Sequence, residues 1–169
     1  MDPPLEQFEE SLDRVNRTLN YLTQVFLAQR GLSMSRYRIL RYLQSRTEVN
    51  MRQLQSQLLL CGSTLTELVD ALVQSGLVTR RRDEVDRRMV YLRLTADGRA
   101  AYREVLAFRC ERLQEAMDGD YAGQDGINAA LNSVYDGLKR QIATPEAKTG
   151  NRPAKERCDK NIEHGCDSK

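Results

Sequence analysis

The run from residue 62 to residue 94 constrains the fold most, because helical periodicity gives way there to strand periodicity. Its first half predicts an amphipathic helix that buries one face, made of Leu65, Leu68, Val69 and Leu72. Gly76 is placed to end this helix. Two short strands follow, 78–82 and 90–95, joined by the charged loop 83–89. A helix followed by a hairpin with a charged tip is typical of a winged helix-turn-helix.

The residues before this run complete the motif. Asn50 can cap a short helix whose Leu54 and Leu58 lie on one face. Cys61 to Ser63 then supply a tight turn into the helix described above. The sequence therefore predicts a fold that is mainly α with a small β-hairpin wing.

Three longer apolar stripes flank the motif and predict helices of their own. Gly31 ends the first helix, Ser33 or Ser35 can cap the next, and Thr95 can cap the second long helix. Because the motif already buries a core, the surplus apolar surface predicts a homodimer; a monomer that folds these helices onto itself is the alternative. The stripes are Leu5, Phe8, Leu12, Val15, Leu19, Leu22 and Phe26; then Tyr102, Val105, Leu106, Cys110, Leu113 and Met117; then Ile127, Leu131, Val134, Leu138 and Ile142.

Charge and composition narrow the class of protein. The 169 residues carry a net charge of only +2, but arginines crowd residues 36–52 and the wing, as is typical of a nucleic-acid partner. Solvated faces are the alternative reading. Neither a bilayer-spanning apolar run nor an export signal stands in the sequence, so we expect a cytoplasmic protein with no membrane partner.

The run STLTELVDALVQSGLVTRRRDEVDRRMVYLRLTADG resembles the MarR family (multiple antibiotic resistance regulators), as does LSMSRYRILRYL upstream. The resemblance covers Leu5 to about Ile142. It implies a dimeric DNA-binding regulator that a small ligand releases from a pseudo-palindromic operator. It also implies dimerisation helices over 1–31 and 99–144 and a DNA-binding lobe over 32–98; we expect a polar, disordered tail over 145–169.

The helix that follows the turn at Cys61 to Ser63 is the recognition helix of the motif. Its early residues are candidates to contact base edges in the major groove: Ser63, Thr64, Thr66 and Glu67. This helix holds no Lys or Arg, and the carboxylate of Glu67 repels phosphates unless it accepts from cytosine or pairs with an arginine. One alternative is therefore a protein-interaction module that has lost DNA binding.

The wing carries the stronger signal for DNA. By resemblance, Arg88 enters the minor groove and Asp86 steadies the wing. Arg81 and Arg87 are candidates for phosphate contacts, and a plain surface arginine is the alternative for each. The resemblance also implies a ligand pocket between the dimerisation helices and the DNA-binding lobe. Candidate lining residues, which core packing explains equally well, are Tyr21, Tyr37, Tyr42 and Phe108.

The cysteines suggest a second alternative, a redox-sensing regulator. Cys61 stands at the start of the recognition helix, where the helix dipole favours a thiolate, although a small buried thiol is the plainer reading. We expect reduced thiols, and Cys110 in the core. The only histidine, His164, lies in the tail, and its spacing from Cys158 and Cys166 matches no common zinc site. We therefore expect that the protein is not an enzyme and that it binds no metal or cofactor.

Overall fold

A computed structural model describes residues 3–117 and 124–143 of the chain. The fold is mainly helical with a small antiparallel sheet, so the predicted fold class is confirmed. The helices of the described residues are α1 (Pro3–Ala28), α2 (Met34–Gln44), α3 (Met51–Leu58), α4 (Gly62–Gln74), α5 (Ala96–Ala116) and α6 (Gln124–Ala143). The strands are β1 (Val49–Asn50), β2 (Val78–Arg82) and β3 (Val90–Leu94).

The helix ends lie where the sequence placed them, because capping groups satisfy the terminal backbone atoms. Ser33 caps α2 by accepting a hydrogen bond from the backbone N–H of Arg36 at 3.3 Å. Asn50 and Gln53 form a reciprocal capping box at the start of α3. Gly76 follows α4 with φ at 72°, a conformation that costs glycine little.

The sheet has a strand that the sequence did not predict. Its order is β1-β3-β2, with Val49 opposite Leu92 and Asn50 opposite Tyr91. The hairpin pairs Val78 with Leu94 and continues to Arg82 opposite Val90. Two residues are too few to show an alternating pattern, which is why β1 escaped sequence reasoning.

One core joins α2, α3, α4 and the sheet, and each large side chain in it contributes roughly 1.5–3 kcal/mol of transfer free energy. A second, smaller cluster joins α1, α2 and α5 through Leu27, Tyr37 and Val105. These two clusters hold the hairpin and α4 against α2, and α2 against α1 and α5. The main core consists of Ile39, Leu40, Leu43, Val49, Leu54, Leu65, Val69, Leu72, Val78, Leu92 and Leu94.

The chain divides into two compact units after Arg112. In the first unit, α1 leaves apolar side chains exposed, including Leu5, Val15 and Val25. In the second unit, α6 leaves a stripe of its own exposed, with Ile127 and Leu138 more than half accessible. Both stripes were expected from the sequence, and neither is covered within its own unit.

Cys110 is an exposed thiol, so the prediction that it lies in the core was wrong. It sits on the stripe of α5, which also leaves Leu106 and Leu113 exposed in this single chain. Across residues 3–117 and 124–143, no single helix has both the length and the apolar character of a membrane span; α3 and α4 together pass that test only as a pair bent by 114°.

Candidate nucleic-acid interface

The first turns of α4 present a polar face to solvent. Ser63, Thr64, Thr66 and Glu67 are all exposed, whereas Leu65 between them is buried in the core. The hydroxyl of Thr66 donates to the carbonyl oxygen of Gly62 at 2.8 Å. The spacing of buried residues along α4 thus turns the candidate base-contacting residues outward.

The tip of the hairpin is a compact turn organised by Asp83. Its Oδ1 atom accepts hydrogen bonds of 2.9 Å from the backbone N–H groups of Val85 and Asp86. These two bonds lower the pKa of the Asp83 carboxyl below its ordinary value, that to Asp86 having the larger effect. The backbone N–H of Asp83 also donates to the carbonyl oxygen of Met89 at 2.9 Å, which closes the turn.

Asp86 fixes the backbone next to the candidate groove arginine. The backbone N–H of Arg88 donates to Asp86 Oδ1 at 3.0 Å. The carbonyl oxygen of Asp86 accepts from the backbone N–H of Met89 at 2.8 Å. Arg87 and Arg88 are both exposed at this tip.

The arginines of the hairpin fall into two groups. Arg80 forms a 2.7 Å ion pair with Asp70 of α4, and Arg81 forms one of 3.2 Å with Glu48. The hydrogen bond and the charge of Glu48 raise the pKa of the Arg81 guanidinium above its ordinary value. Within the described part of the chain, the ion pairs leave out Arg87 and Arg88. The guanidinium groups of the tip are therefore not neutralised by ion pairs, whereas those of Arg80 and Arg81 in the stem are.

Cys61 caps α4 without a side-chain hydrogen bond to the helix. It is held in a disulfide, so the expectation of reduced thiols was wrong for this residue. Sequence reasoning missed the disulfide because pairing depends on distances that separated cysteines do not reveal. The earlier expectation that Cys158, His164 and Cys166 bind no metal stays a prediction, because these residues lie outside the described ranges.

A cavity of about 570 Å³ lies between α1, α2 and α5, and we call it the interhelical cavity. Of the four candidate pocket residues, Tyr21 and Tyr37 line it. Tyr42 instead packs against the main core beneath the guanidinium of Arg46, 3.9 Å from its ring centroid. Phe108 stacks on Phe26 with centroids 4.1 Å apart. The other residues that line the interhelical cavity are Asn16, Arg17, Asn20, Gln24, Met34, Arg38, Arg41 and Arg109.

The electrostatics of this cavity are basic. Arg109 donates to the buried hydroxyl of Thr23 at 2.7 Å, which holds its guanidinium in place. Burial raises the pKa of the Tyr37 phenol, while the charges of Arg109 and Arg41 oppose that shift. The phenol therefore stays protonated at neutral pH and can donate a hydrogen bond. Residues 3–117 and 124–143 bring together no group of three or more His, Cys, Asp or Glu suited to a metal ion.

Comparison with known proteins finds a family match over part of the chain. Residues 32–90 match the family model of the MarR family. The chain is 26% identical over 110 residues to the HTH-type transcriptional repressor YetL of Bacillus subtilis (strain 168). That alignment spans 64% of this chain and 66% of YetL, just under two thirds of the relative's length.

Two solved structures share the fold. FabT of Streptococcus pneumoniae, solved in complex with DNA, has a TM-score of 0.66 at 22% identity, over 81% of this chain and 99% of that one. NadR, solved in complex with 4-hydroxyphenylacetate, has a TM-score of 0.62 at 24% identity, over 78% of this chain and 91% of that one. At these identities the two structures establish the fold alone. The family match falls on α2, α3, α4, β2 and the tip of the hairpin, so this part of the chain is similar to the winged helix-turn-helix lobe of the MarR family.

Proposed function

We propose that this chain is a transcriptional repressor that binds a pseudo-palindromic DNA operator as a homodimer and that a small ligand releases it. The repressor role is supported by the similarity to YetL, and DNA as the partner by the shared fold of the FabT complex with DNA. The observation that carries the proposal is the exposed, unneutralised pair Arg87 and Arg88 at a tip whose backbone is fixed by Asp83 and Asp86.

In this proposal each candidate residue has a defined role. Arg88 enters the minor groove, where a narrow A·T tract attracts a guanidinium. Arg87 and Arg81 contact phosphates, and Asp86 orients the tip. The exposed face of α4 lies in the major groove, with base edges within reach of Ser63, Thr64, Thr66 and Glu67.

Selection and sequencing of the duplexes that the purified protein retains from a random pool tests the proposal. We expect an enriched sequence with two related half-sites, whose affinity falls linearly with salt on a logarithmic plot. Failure to enrich any sequence, together with an absence of salt-sensitive binding to duplex DNA, would favour the protein-interaction module instead.

Homodimerisation is proposed from the uncovered apolar stripes. Leu5 is 61% exposed in α1 and Ile127 is 53% exposed in α6, and such stripes usually mark an interface. We assign 1–31 and 99–144 to dimerisation, with 32–98 as the DNA-binding lobe. Light scattering at micromolar concentration should give about twice the 19.4 kDa chain mass. A mass of one chain would exclude this assembly.

The interhelical cavity is proposed as the effector site. Its arginines and the Tyr37 hydroxyl suit an aromatic ligand that carries a carboxylate, and NadR shares the fold with such a ligand bound. We use 4-hydroxyphenylacetate as the first probe and measure its release of operator DNA. Arg41→Gln should weaken the response at least tenfold, since a charge-assisted hydrogen bond is lost. Equal responses of parent and variant would place the ligand elsewhere.

The disulfide at Cys61 favours a second candidate, a regulator that responds to redox state. Because Cys61 stands at the first turn of α4, breaking or forming its S–S bond changes the bulk beside the proposed groove contact. Operator affinity is compared with dithiothreitol and after peroxide, in the parent and in Cys61→Ser. A change in the parent that Cys61→Ser lacks supports this candidate, and identical affinities throughout eliminate it.

A further inference from the structure

A second cavity, an open cleft of about 370 Å³, lies at the base of the hairpin and has no assigned role. It is bordered by the end of α2, by the paired residues of β2 and β3, and by the start of α5. We call it the arginine cleft. Its polar lining consists of Gln44, Arg46, Thr47, Thr79, Arg93 and Arg99.

The three guanidinium groups of this cleft are held by backbone carbonyl oxygens rather than by carboxylates. Arg93 Nε donates to the carbonyl of Thr47 at 3.3 Å, and Arg99 donates to that of Leu94 at 2.9 Å. Arg46 donates to the carbonyl of Tyr42 at 3.0 Å. None of the three takes part in an ion pair with another described residue. Their positive charges are thus oriented but not neutralised.

The cleft is remote from the part of the hairpin proposed to enter the groove. Thr79 pairs with Arg93, three positions along the strand from the last pair, Arg82 with Val90. At about 3.3 Å per residue, this separation is roughly 10 Å before the tip itself begins. The cleft also shares no lining residue with the interhelical cavity.

We propose that the arginine cleft binds a small multivalent oxyanion, with carboxylate or phosphate groups placed among Arg46, Arg93 and Arg99. Guanidinium groups recognise both kinds of group through paired N–H donors, and three fixed charges favour an anion of more than one negative charge. The volume suits a small molecule. This site is independent of the effector proposed for the interhelical cavity.

The side chain of Gln44 indicates which kind of oxyanion fits the cleft best. The side-chain oxygen of Gln44, in the wall of the cleft, is buried and accepts no hydrogen bond from the described residues. A buried acceptor without a donor is costly, so a small rotation of this amide toward a ligand hydroxyl is favourable. An oxyanion that also carries a hydroxyl group, such as a hydroxy acid, therefore fits the cleft better than one without.

The test uses the full chain and two probes, citrate and tricarballylate, which has the same three carboxylates but lacks the hydroxyl group. Each is titrated by calorimetry and by thermal unfolding, with sodium chloride holding the ionic strength constant. We expect saturable binding and a higher unfolding midpoint, with citrate binding more tightly. If sodium chloride of equal ionic strength reproduces the whole effect, the proposal is wrong.

Variants assign the binding to the cleft. Arg93→Gln and Arg99→Gln should each lower the affinity for citrate at least tenfold. Arg38→Gln, which changes a residue of the interhelical cavity, should leave the affinity for citrate unchanged. Two separate cleft variants keep the test decisive should one fail to fold. Loss of citrate binding in Arg38→Gln alone would overturn the assignment.

Phosphates of the DNA backbone could supply the same chemistry, so each variant is also titrated with a duplex oligonucleotide. We expect Arg93→Gln to bind the duplex as the parent does. If Arg93→Gln lost duplex affinity but kept citrate affinity, the cleft would be a DNA contact and the proposal would be overturned. Because citrate is titrated without DNA, this result does not depend on the proposed repressor function.

Discussion

The backbone N–H of Arg88 donates a 3.0 Å hydrogen bond to the carboxylate of Asp86, whose own backbone N–H donates to the carboxylate of Asp83. These successive bonds fix the main chain of the tip while the side chain of Arg88 remains exposed. A guanidinium on a fixed backbone loses less conformational entropy when it enters a groove than one on a mobile loop.

Arg88→Ala should weaken operator binding by roughly 1–3 kcal/mol, because an inserted guanidinium contributes more than a charge at the rim. Fluorescence anisotropy with labelled operator across a salt series measures the loss. Arg103→Ala, an exposed arginine of α5, is the matched control and should bind as the parent does. Unchanged affinity of folded Arg88→Ala across the series would show that the wing is not used in this way.

Arg81→Ala should weaken binding to all sequences alike and reduce the salt slope by about one, as expected for a phosphate contact. The ion pair with Glu48 competes with that role, because the guanidinium must leave a 3.2 Å partner to reach DNA. We therefore expect Glu48→Gln to increase duplex affinity slightly. A decrease in Glu48→Gln would mean that the pair positions Arg81 for DNA rather than restraining it.

Glu67→Arg separates two roles of the exposed carboxylate on α4. If Glu67 only repels phosphates, the variant should bind every duplex more tightly. If it accepts a hydrogen bond from cytosine, the variant should lose affinity for the selected operator and gain affinity for random duplex. Competition titrations measure the affinity for the selected operator and the affinity for random duplex. If neither affinity changed, α4 would not be part of the interface.

The sequence predicted those parts of the fold that depend on local pattern. Asn50, Ser33 and Gly76 mark helix ends by capping, and Thr95 caps α5 through a 2.9 Å hydrogen bond from the backbone N–H of Gly98. Each signal lies within a few residues of the element that it defines, so a single sequence contains it.

What the sequence could not predict depends on contacts between distant residues. Glu48 meets Arg81 across 33 positions of the chain, and Arg93 meets Thr47 across 46. No periodic pattern in the sequence indicates such pairs. Sequence reasoning therefore missed both the ion pair that restrains Arg81 and the arginine cleft. The disulfide of Cys61 was missed because it depends on the distance between cysteines that are far apart in the sequence. The exposure of Cys110 was missed because it depends on which elements cover α5.

Tyr37→Phe should change how stability depends on pH above about 10, the ordinary tyrosine pKa. Burial raises the pKa of Tyr37 in the folded state, against the opposing charges of Arg109 and Arg41. The unfolded chain therefore loses this proton first, and the parent loses stability as pH rises through that window. Urea unfolding at pH 8 and at pH 10.5 should show a smaller decline for the variant; parallel declines would mean that the phenol is not perturbed.

Gly98→Ala should destabilise the DNA-binding lobe by roughly 1–3 kcal/mol or more, because overpacking forces the backbone to move. Gly98 is buried at the start of α5, and an added Cβ would overlap the carbonyl oxygen of Leu77. That oxygen also accepts from the backbone N–H of Thr95 at 3.1 Å, so a shift would weaken the junction between hairpin and helix.

The matched control for Gly98→Ala is Gly126→Ala in α6. A Cβ at Gly126 meets nothing within 4 Å, and alanine favours a helix more than glycine does. Thermal unfolding should therefore show a lower midpoint for Gly98→Ala and an equal or higher one for Gly126→Ala. If Gly98→Ala melted with the parent and kept its operator affinity, the close contact between Leu77 and α5 would not be needed to hold the wing in place.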